Sequence, residues 1–300
     1  MPRFRRLTES QWRDKNNFFR DIYNPCEICP RRCGARRLEG ESGVCGVGNT
    51  VRVASYNLHF GEEPPITGSR GSGTVFFSGC PLKCVFCQNY PISHLGNGQE
   101  YSIEELAGLF LNLQTRGAHN INFVSPTPYL HHIVQALEIA AGKGLRLPIV
   151  DNTSGYELLG VVKMLEGIVD VWLPDFKYHD PQLARLVSGA PGYREIAYDA
   201  IGEMFKQVGE LRVDDEGIAV SGTIIRHLVL PGQVENSKRV LDIIAGSRFK
   251  SACLSLMSQF FPAYEAPKSQ LSRRITADEY WEVRGYAEQL GFEDGWFQDI

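Results

Sequence analysis

The sequence predicts an α/β fold, a partial (β/α)6 TIM-like barrel, and two observations carry this prediction. From residue 74 onward, apolar runs rich in β-branched and aromatic residues alternate with segments of helical periodicity, which is typical of βα units around a parallel sheet. Polar groups follow several of these runs, and in such barrels the chemistry gathers where strands end. We therefore expect a basic, cysteine-rich metal-binding segment (1–52), a linker (53–73) and the barrel (74–300).

The individual elements follow from local patterns. Six apolar runs are the strand candidates, at residues 74–79, 121–125, 147–153, 170–176, 223–230 and 253–257. Helices are predicted after Ser102, over 131–141, 156–166, 181–187, 195–208 and 234–244, and from Thr276 to about residue 290. Ser102 with Glu105 and Thr276 with Glu279 have capping-box spacing, which marks a helix start. The Gly-, Pro- and Ser-containing stretch before residue 74 is typical of a linker.

Composition narrows the class of protein. The chain has 300 residues, 43% apolar and 22% charged, which indicates a globular protein rather than a disordered one. It has no run of 18 apolar residues, so no membrane span and no membrane partner are expected. The first twenty residues lack the apolar stretch of a secretory signal.

Charge is distributed unevenly along the chain. Residues 1–37 carry ten Lys and Arg against four Asp and Glu, whereas the whole chain has a net charge of −4. A solvated surface is the preferred interpretation of this basic segment, and contact with an acidic partner is the alternative. Since no nucleic-acid motif accompanies it, a nucleic-acid partner is not expected.

Seven of the eight cysteines fall into two tight clusters. This distribution predicts metal ligation in a reducing compartment rather than disulfides, so we expect a cytoplasmic protein. The eighth, Cys253, lies in an apolar run and is predicted to be a small core residue.

The second cluster is a trio, Cys80, Cys84 and Cys87, with C-x3-C-x2-C spacing and no fourth cysteine nearby. Three thiolates from one loop can hold three irons of a [4Fe-4S] cluster and leave the fourth iron open. An open iron suits chemistry on a bound ligand, much as a catalytic zinc keeps one position free. An iron–sulfur cluster is therefore the preferred interpretation, with zinc as the alternative.

The first cluster has four members, Cys26, Cys29, Cys33 and Cys45. Four local thiolates complete the ligand set of either zinc or a second iron–sulfur cluster, and the spacing leaves both open. Glycines between and beside them permit the tight turns that such a site needs.

The trio resembles the C-x3-C-x-Φ-C signature of radical S-adenosylmethionine (SAM) enzymes, in which Φ is aromatic, and Phe86 fills that position. The strand-like run TVFFSG before it and Gln88-Asn89-Tyr90 after it are similar to pyruvate formate-lyase activating enzymes. The four-cysteine segment resembles the leader of an uncharacterised group of related radical SAM proteins. The resemblance covers roughly residues 24–262.

This resemblance implies a reaction and its cofactors. In that family the open iron of a [4Fe-4S] cluster binds the amino and carboxylate groups of SAM. One electron, from a donor such as flavodoxin or ferredoxin, then cleaves SAM to methionine and a 5′-deoxyadenosyl radical, which abstracts hydrogen from a substrate. The activating-enzyme branch implies a glycyl residue of a partner enzyme as substrate, although a small molecule or another protein site fits equally.

The resemblance also implies which strand-end residues contact SAM. Asn152 and Ser154 would face its ribose or methionine part, and the same residues suit a helix cap. Asp175 and Lys177 resemble an Asp-x-Lys whose lysine meets the SAM carboxylate, with a structural ion pair as the alternative. Arg226 or His227 would face the cofactor, although His227 also suits a core position, and only one of two adjacent side chains should point inward.

One departure and two other function classes remain open. After the second strand the family has Gly-Gly-Glu-Pro, whereas this chain has Ser125-Pro126-Thr127-Pro128. A non-catalytic metal-binding adaptor with two zinc sites and an electron-transfer protein are the alternatives of a different class. Zinc at the trio would lack a fourth local ligand, and electron transfer does not explain Asp175 and Lys177 at a barrel mouth.

Overall fold

A computed structural model describes all 300 residues. The strands are β1 (Val51–His59), β2 (Ser72–Phe77), β3 (Gln99–Tyr101), β4 (Ile121–Val124), β5 (Ile149–Thr153), β6 (Val171–Pro174), β7 (Arg212–Val213), β8 (Ala219–Leu228), β9 (Cys253–Met257) and β10 (Trp296–Phe297). The helices are α1 (Glu9–Asp21), α2 (Pro64–Thr67), α3 (Tyr90–Ser93), α4 (Ile103–Thr115), α5 (Leu130–Gly142), α6 (Leu159–Met164), α7 (Pro181–Ser188), α8 (Tyr193–Val208), α9 (Val234–Ala245) and α10 (Ala277–Gln289). Four 3-10 turns complete the list, at Arg3–Arg6, Arg37–Glu39, Thr127–Tyr129 and Ala266–Lys268.

The six predicted strands form the parallel centre of the sheet. They lie side by side in chain order, as β2, β4, β5, β6, β8 and β9, and each neighbouring pair is parallel. The carboxyl ends of these strands therefore meet at one edge of the sheet. This arrangement confirms the mixed α/β fold, and it is consistent with a partial TIM-like barrel.

The helices begin where local capping predicts. Ser102 and Glu105 form both hydrogen bonds of a capping box at the start of α4, and Thr276 and Glu279 do the same for α10. The apolar face of α4 is buried through Leu106, Phe110 and Leu113, and each such side chain contributes roughly 1.5–3 kcal/mol to folding. None of the helices is long and apolar enough to cross a membrane.

The stretch predicted as a linker belongs to the sheet instead. Seven residues of this stretch, 53–59, belong to β1, which pairs antiparallel with β2 and with β3. The short helix α2 follows, and its Ile66 is fully buried in a small apolar cluster. Residues 53–73 are therefore an integral layer of the fold, because the pairing of β1 is a long-range contact that Gly and Pro content does not reveal.

The amino-terminal segment also packs on the barrel. The sequence analysis missed α1, which opens with a capping box between Thr8 and Gln11. Lys15 on α1 is buried and donates hydrogen bonds of 2.7 Å to the carbonyl oxygens of Met164 and Glu166. The Lys15 ammonium group thus holds α1 against the end of α6 in the helical layer.

Candidate functional site

A cavity of about 590 Å³ opens at the carboxyl edge of the parallel strands. The three thiols of the cysteine trio line it, and side chains from the ends of the neighbouring strands line it as well. Of the sequence-predicted site residues, those in the cavity wall are Cys80, Cys84, Cys87, Phe86, Asn152, Ser154, Asp175, Lys177 and Arg226. The strand ends thus bring together residues up to 146 positions apart in the chain.

The loop that carries the trio follows directly from β2. Two residues in the left-handed region, Gly79 (φ 83°) and Lys83 (φ 56°), turn the chain sharply. The loop is fixed from outside because the Val85 amide donates to the Val187 carbonyl (2.8 Å) and because the Nε2 atom of His94 lies 3.0 Å from the Cys84 carbonyl oxygen. Phe86 is buried against Phe260, with ring centroids 5.7 Å apart.

Hydroxyl groups approach two of the three sulfur atoms. Ser188 Oγ lies 2.9 Å from Cys84 Sγ and is itself 2.6 Å from the Tyr178 hydroxyl. Ser93 Oγ lies 3.1 Å from Cys87 Sγ. Hydrogen bonds to cluster sulfurs tune reduction potential, so this environment suits a redox-active centre.

Burial favours the protonated form of two thiols of the trio. Removal from water raises the pKa of Cys80 to about 12 and that of Cys84 to about 11. Iron binding must therefore displace protons from these thiols, as metal binding to cysteine generally does.

Asp175 and Lys177 form an ion pair in the cavity wall, beside the trio. Lys177 Nζ lies 2.5 Å from Asp175 Oδ2, and both side chains are largely buried. Burial lowers the pKa of Lys177, but attraction to Asp175 and Cys84 outweighs it and raises the pKa above its usual value. Lys177 is therefore a cation close to the cysteine trio. Its pairing with Asp175 matches the structural ion pair that the sequence left as the alternative, and its contact with SAM stays a prediction.

Tyr193, which the sequence analysis missed, joins two of the strand ends. Its hydroxyl lies 2.7 Å from the Ser154 carbonyl oxygen and 2.9 Å from that of Asp175, and it accepts a hydrogen bond of 3.0 Å from the Lys177 amide. The side chain is fully buried. Tyr193 therefore sets the spacing between the segment with Ser154 and the segment with Asp175 and Lys177.

The loop after β4 departs from the family pattern but still reaches the cavity. Ser125 lines the cavity and has a positive φ of 57°. Thr127 points elsewhere, because its hydroxyl donates to the buried carboxyl of Glu157 (2.6 Å). Of the two hydroxyls considered for this loop, only that of Ser125 lies at the cavity.

Arg226 reaches the cavity with two carboxylates bound to it. It pairs with Glu62, and its Nε atom lies 2.7 Å from Glu63 Oε1. Burial raises the pKa of Glu63, but Arg226 outweighs it and lowers the pKa below its usual value. Sequence reasoning missed both glutamates, although a barrel arginine requires an anionic partner and a Glu-Glu pair stands directly before α2.

His227 lies outside the cavity, so its predicted cofactor contact does not match its position. It is fully buried, its Nδ1 atom lies 2.7 Å from the Phe176 carbonyl oxygen, and its Nε2 atom lies 2.9 Å from Ser237 Oγ. Burial lowers its pKa to about 4. The alternation of side chains along β8 places Arg226 inward and His227 in the core.

The amino-terminal cysteine segment contacts the trio's loop through Arg31. Its guanidinium donates to the carbonyl oxygens of Pro81 (2.8 Å) and Leu82 (3.1 Å), and to those of Ser188 and Gly189. Gly79, which leads into the trio's loop, lies directly against the amino-terminal segment. A Cβ atom at this position would lie only 2.8 Å from the Cys45 carbonyl oxygen, so the two backbones approach closely. The two cysteine clusters thus occupy adjoining segments.

The trio fits a cubane cluster better than a single ion. No three His, Cys, Asp or Glu side chains converge on a point where one metal ion could bind. A [4Fe-4S] cluster does not require such convergence, because each thiolate binds a different iron. The donor set, three thiols beside a buried lysine, therefore fits a cluster with one open iron and an anionic ligand next to it.

Comparison with known proteins gives a family and two curated relatives. The model of the radical SAM superfamily matches residues 74–244. An uncharacterized protein of Methanocaldococcus jannaschii is 29% identical over 285 residues, covering 91% of this chain and 77% of that protein. The pyruvate formate-lyase-activating enzyme of Clostridium pasteurianum is 26% identical over 200 residues, covering 64% of this chain and 77% of that enzyme.

Two solved structures resemble the fold. Native anSMEcpe with bound AdoMet and a peptide has a TM-score of 0.50 and 15% identity over 72% of this chain, which spans 58% of that protein's length. Methylornithine synthase has a TM-score of 0.48 and 15% identity, again over 72% of this chain and over 62% of its own. The chain thus spans less than two thirds of either solved protein.

Proposed function

Because the chain belongs to the radical SAM superfamily, we propose that it cleaves SAM reductively and takes a hydrogen atom from a glycyl residue of a partner enzyme. The observation that carries the proposal is the meeting of three thiols and the Asp175–Lys177 pair in the wall of one cavity. When bound, the cluster and SAM supply a 5′-deoxyadenosyl radical, with the electron coming from a flavodoxin or ferredoxin.

The chain's own residues have distinct tasks in this proposal. Cys80, Cys84 and Cys87 hold the cluster. Lys177 binds the SAM carboxylate through a charge-assisted hydrogen bond, and Asp175 keeps the lysine charged and in place. Asn152 and Ser154, next along the same edge, offer amide and hydroxyl groups to the ribose hydroxyls.

The proposed substrate rests on two points. The curated relative from Clostridium pasteurianum is a pyruvate formate-lyase-activating enzyme. Exposed apolar side chains also stand beside the cavity. Phe60 and Leu95 directly follow the lining residues His59 and His94 in the chain, and the centroid of the Tyr264 ring lies 4.4 Å from that of His94. Apolar surface around a cavity mouth supports a protein partner that covers it.

A small molecule is the second candidate for the substrate. The cavity volume of about 590 Å³ lies within the range of small-molecule sites, roughly 300–1,000 Å³. SAM fills part of this space, and the remainder would suit a metabolite.

Anaerobic SAM cleavage tests the reaction. Reconstituted, dithionite-reduced protein should form 5′-deoxyadenosine, measured by chromatography, and Cys84→Ala should reduce the yield to that of a sample without enzyme. The matched control is Cys253→Ala, since Cys253 lies outside both clusters and should leave the yield unchanged. Full activity of the Cys84 variant would mean that the trio does not hold the cluster.

Deuterium transfer tests the substrate separately. With a glycyl radical enzyme deuterated at its glycine α-carbon, we expect deuterium in 5′-deoxyadenosine and a glycyl radical signal in electron paramagnetic resonance. Cleavage of SAM with neither signal would reject the glycyl substrate for each enzyme assayed and leave the SAM chemistry intact. Deuterium arriving from a labelled metabolite instead would favour the small molecule.

A further inference from the structure

Arg37 is a buried cation without a carboxylate partner. It is 1% exposed, and no Asp or Glu lies within ion-pair distance of it, although fifteen ion pairs occur elsewhere in the molecule. Its Nε atom has no hydrogen-bond partner at all. Since a buried charge is stable only when an opposite charge compensates it, the surroundings of Arg37 must supply an anion.

The groups that surround the guanidinium narrow the choice of anion. Nη1 donates to the Pro128 carbonyl oxygen (2.7 Å), and the guanidinium lies 5.1 Å from the centre of the Tyr23 ring. Both contacts are to neutral groups, because Tyr23 donates its own hydroxyl proton to the Gly48 carbonyl oxygen (2.9 Å). Nη2 points at Cys45 Sγ, 3.5 Å away. The remaining candidates for the anion are the cysteine sulfurs.

Two of the amino-terminal cysteines, Cys33 and Cys45, lie beside this cation. A Cβ atom on Gly43 would lie 3.2 Å from Cys33 Sγ, 3.4 Å from Cys45 Sγ and 3.4 Å from Arg37 Nη2. Cys26 and Cys29, which are 1% and 5% exposed, are buried in the same segment. A glycine at 43 therefore keeps open the space between the guanidinium and two sulfurs.

Backbone hydrogen bonds fold this segment into a series of tight turns. The Arg32 amide donates to the Cys29 carbonyl oxygen (3.0 Å), the Gly34 amide to that of Cys26 (3.0 Å), and the Gly46 amide to that of Gly43 (2.8 Å). These tight turns carry Cys29, Cys33 and Cys45 toward one another. Three of the four cysteines are buried although none is in a disulfide.

We propose that Cys26, Cys29, Cys33 and Cys45 hold a second iron–sulfur cluster, a [4Fe-4S] centre with one thiolate on each iron, and that Arg37 is its buried counter-cation. A single zinc ion would need its ligands to converge on one point, which these side chains do not do. A tetrathiolate cluster has no such requirement, and its net negative charge is the charge that Arg37 lacks in its surroundings. The centre is separate from the trio and does not depend on the proposed SAM chemistry.

Elemental analysis tests the site in a background without the trio. In the Cys80→Ala, Cys84→Ala, Cys87→Ala variant, purified without oxygen, we expect bound metal that is lost on adding Cys45→Ser. Iron with matching sulfide and a reducible signal supports the cluster, whereas zinc without visible absorption overturns it. Circular dichroism checks that both variants fold, and a folded trio variant without metal overturns the proposal.

Metal affinity tests the role of Arg37. In the same background, Arg37→Met should weaken metal binding by about tenfold or more, the usual cost of losing a residue outside the ligand set, and Arg37→Lys should retain most of the affinity because it keeps the charge. Competition with a chelator measures both. The counter-cation role would be overturned if the methionine variant bound metal as tightly as the parent. It would also be overturned if the methionine and lysine variants lost affinity equally, because a residue needed only for packing would not depend on its charge.

Discussion

At the scale of single residues, the hydroxyl oxygen of Tyr193 contacts three backbone groups of the site. These are two carbonyl oxygens and one amide, from segments that end β5 and β6. The segment beside it is equally constrained, because Gly155 has a φ of 74° and a Cβ there would collide with the Asp175 carbonyl oxygen. The positions of Ser154 and Lys177 therefore depend on a residue that is not itself exposed to the cavity.

Tyr193→Phe should destabilise the fold by roughly 1–3 kcal/mol, because it leaves buried polar groups without a partner. It should also weaken SAM binding, since Ser154 and Lys177 lose their fixed spacing. Urea unfolding and equilibrium dialysis measure the two effects. The control is Tyr198→Phe on the same helix, whose ring packs on Phe249; equal behaviour of the two variants would contradict the role assigned to Tyr193.

At the scale of elements, the segment that leads into α2 closes one side of the barrel. Glu62 and Glu63 meet Arg226 on β8 across more than 160 positions of chain, and Asn122 on β4 donates to Glu62 (3.0 Å). This contact ties the edge layer to the fifth parallel strand. The acidic pair therefore fixes both the wall of the cavity and the position of Arg226.

Arg226→Met should cost about 3–5 kcal/mol of stability, because it leaves two buried carboxylates without a cation. Replacing all three, as Arg226→Met with Glu62→Gln and Glu63→Gln, should recover most of the loss, since no unpaired charge remains. Denaturant midpoints compare the two proteins. A triple variant no more stable than the single one would show that packing, and not the unpaired charge, accounts for the loss.

The elements also show which parts of the structure a sequence can predict. The six parallel strands and the capping boxes of α4 and α10 were predictable because periodicity and caps are local signals. The strand β1, the pair Glu62 and Glu63, and Tyr193 were missed because their roles come from partners distant in the chain. The meeting of the three cysteines at one place was predictable because they lie within one loop, whereas only the fold shows that Arg226 faces the cavity and His227 the core.

At the scale of the whole molecule, buried carboxyl groups make stability depend on pH. Glu157 is 5% exposed, and burial raises its pKa from 4.5 to about 7 despite hydrogen bonds from Thr127 and Thr153. Between these two values the folded chain keeps a proton that the unfolded chain has released. Stability from this group is therefore present below pH 4.5 and is lost as the pH rises toward 7, by up to about 1.4 kcal/mol per pH unit.

Glu157→Gln should remove this contribution. Relative to the parent, the variant should gain stability as the pH rises from about 5 to about 8, because only the parent must ionise a buried carboxyl. Urea midpoints of both proteins across that range measure the difference. A difference that does not change with pH would mean that Glu157 ionises in the folded chain as easily as in water.

The four carbonyl contacts of Arg31 link two distant parts of the molecule. They join the amino-terminal segment to the trio's loop and to the end of α7. One guanidinium thus serves as a common anchor for three stretches of backbone. Loss of this single side chain would loosen the amino-terminal segment and one wall of the cavity together.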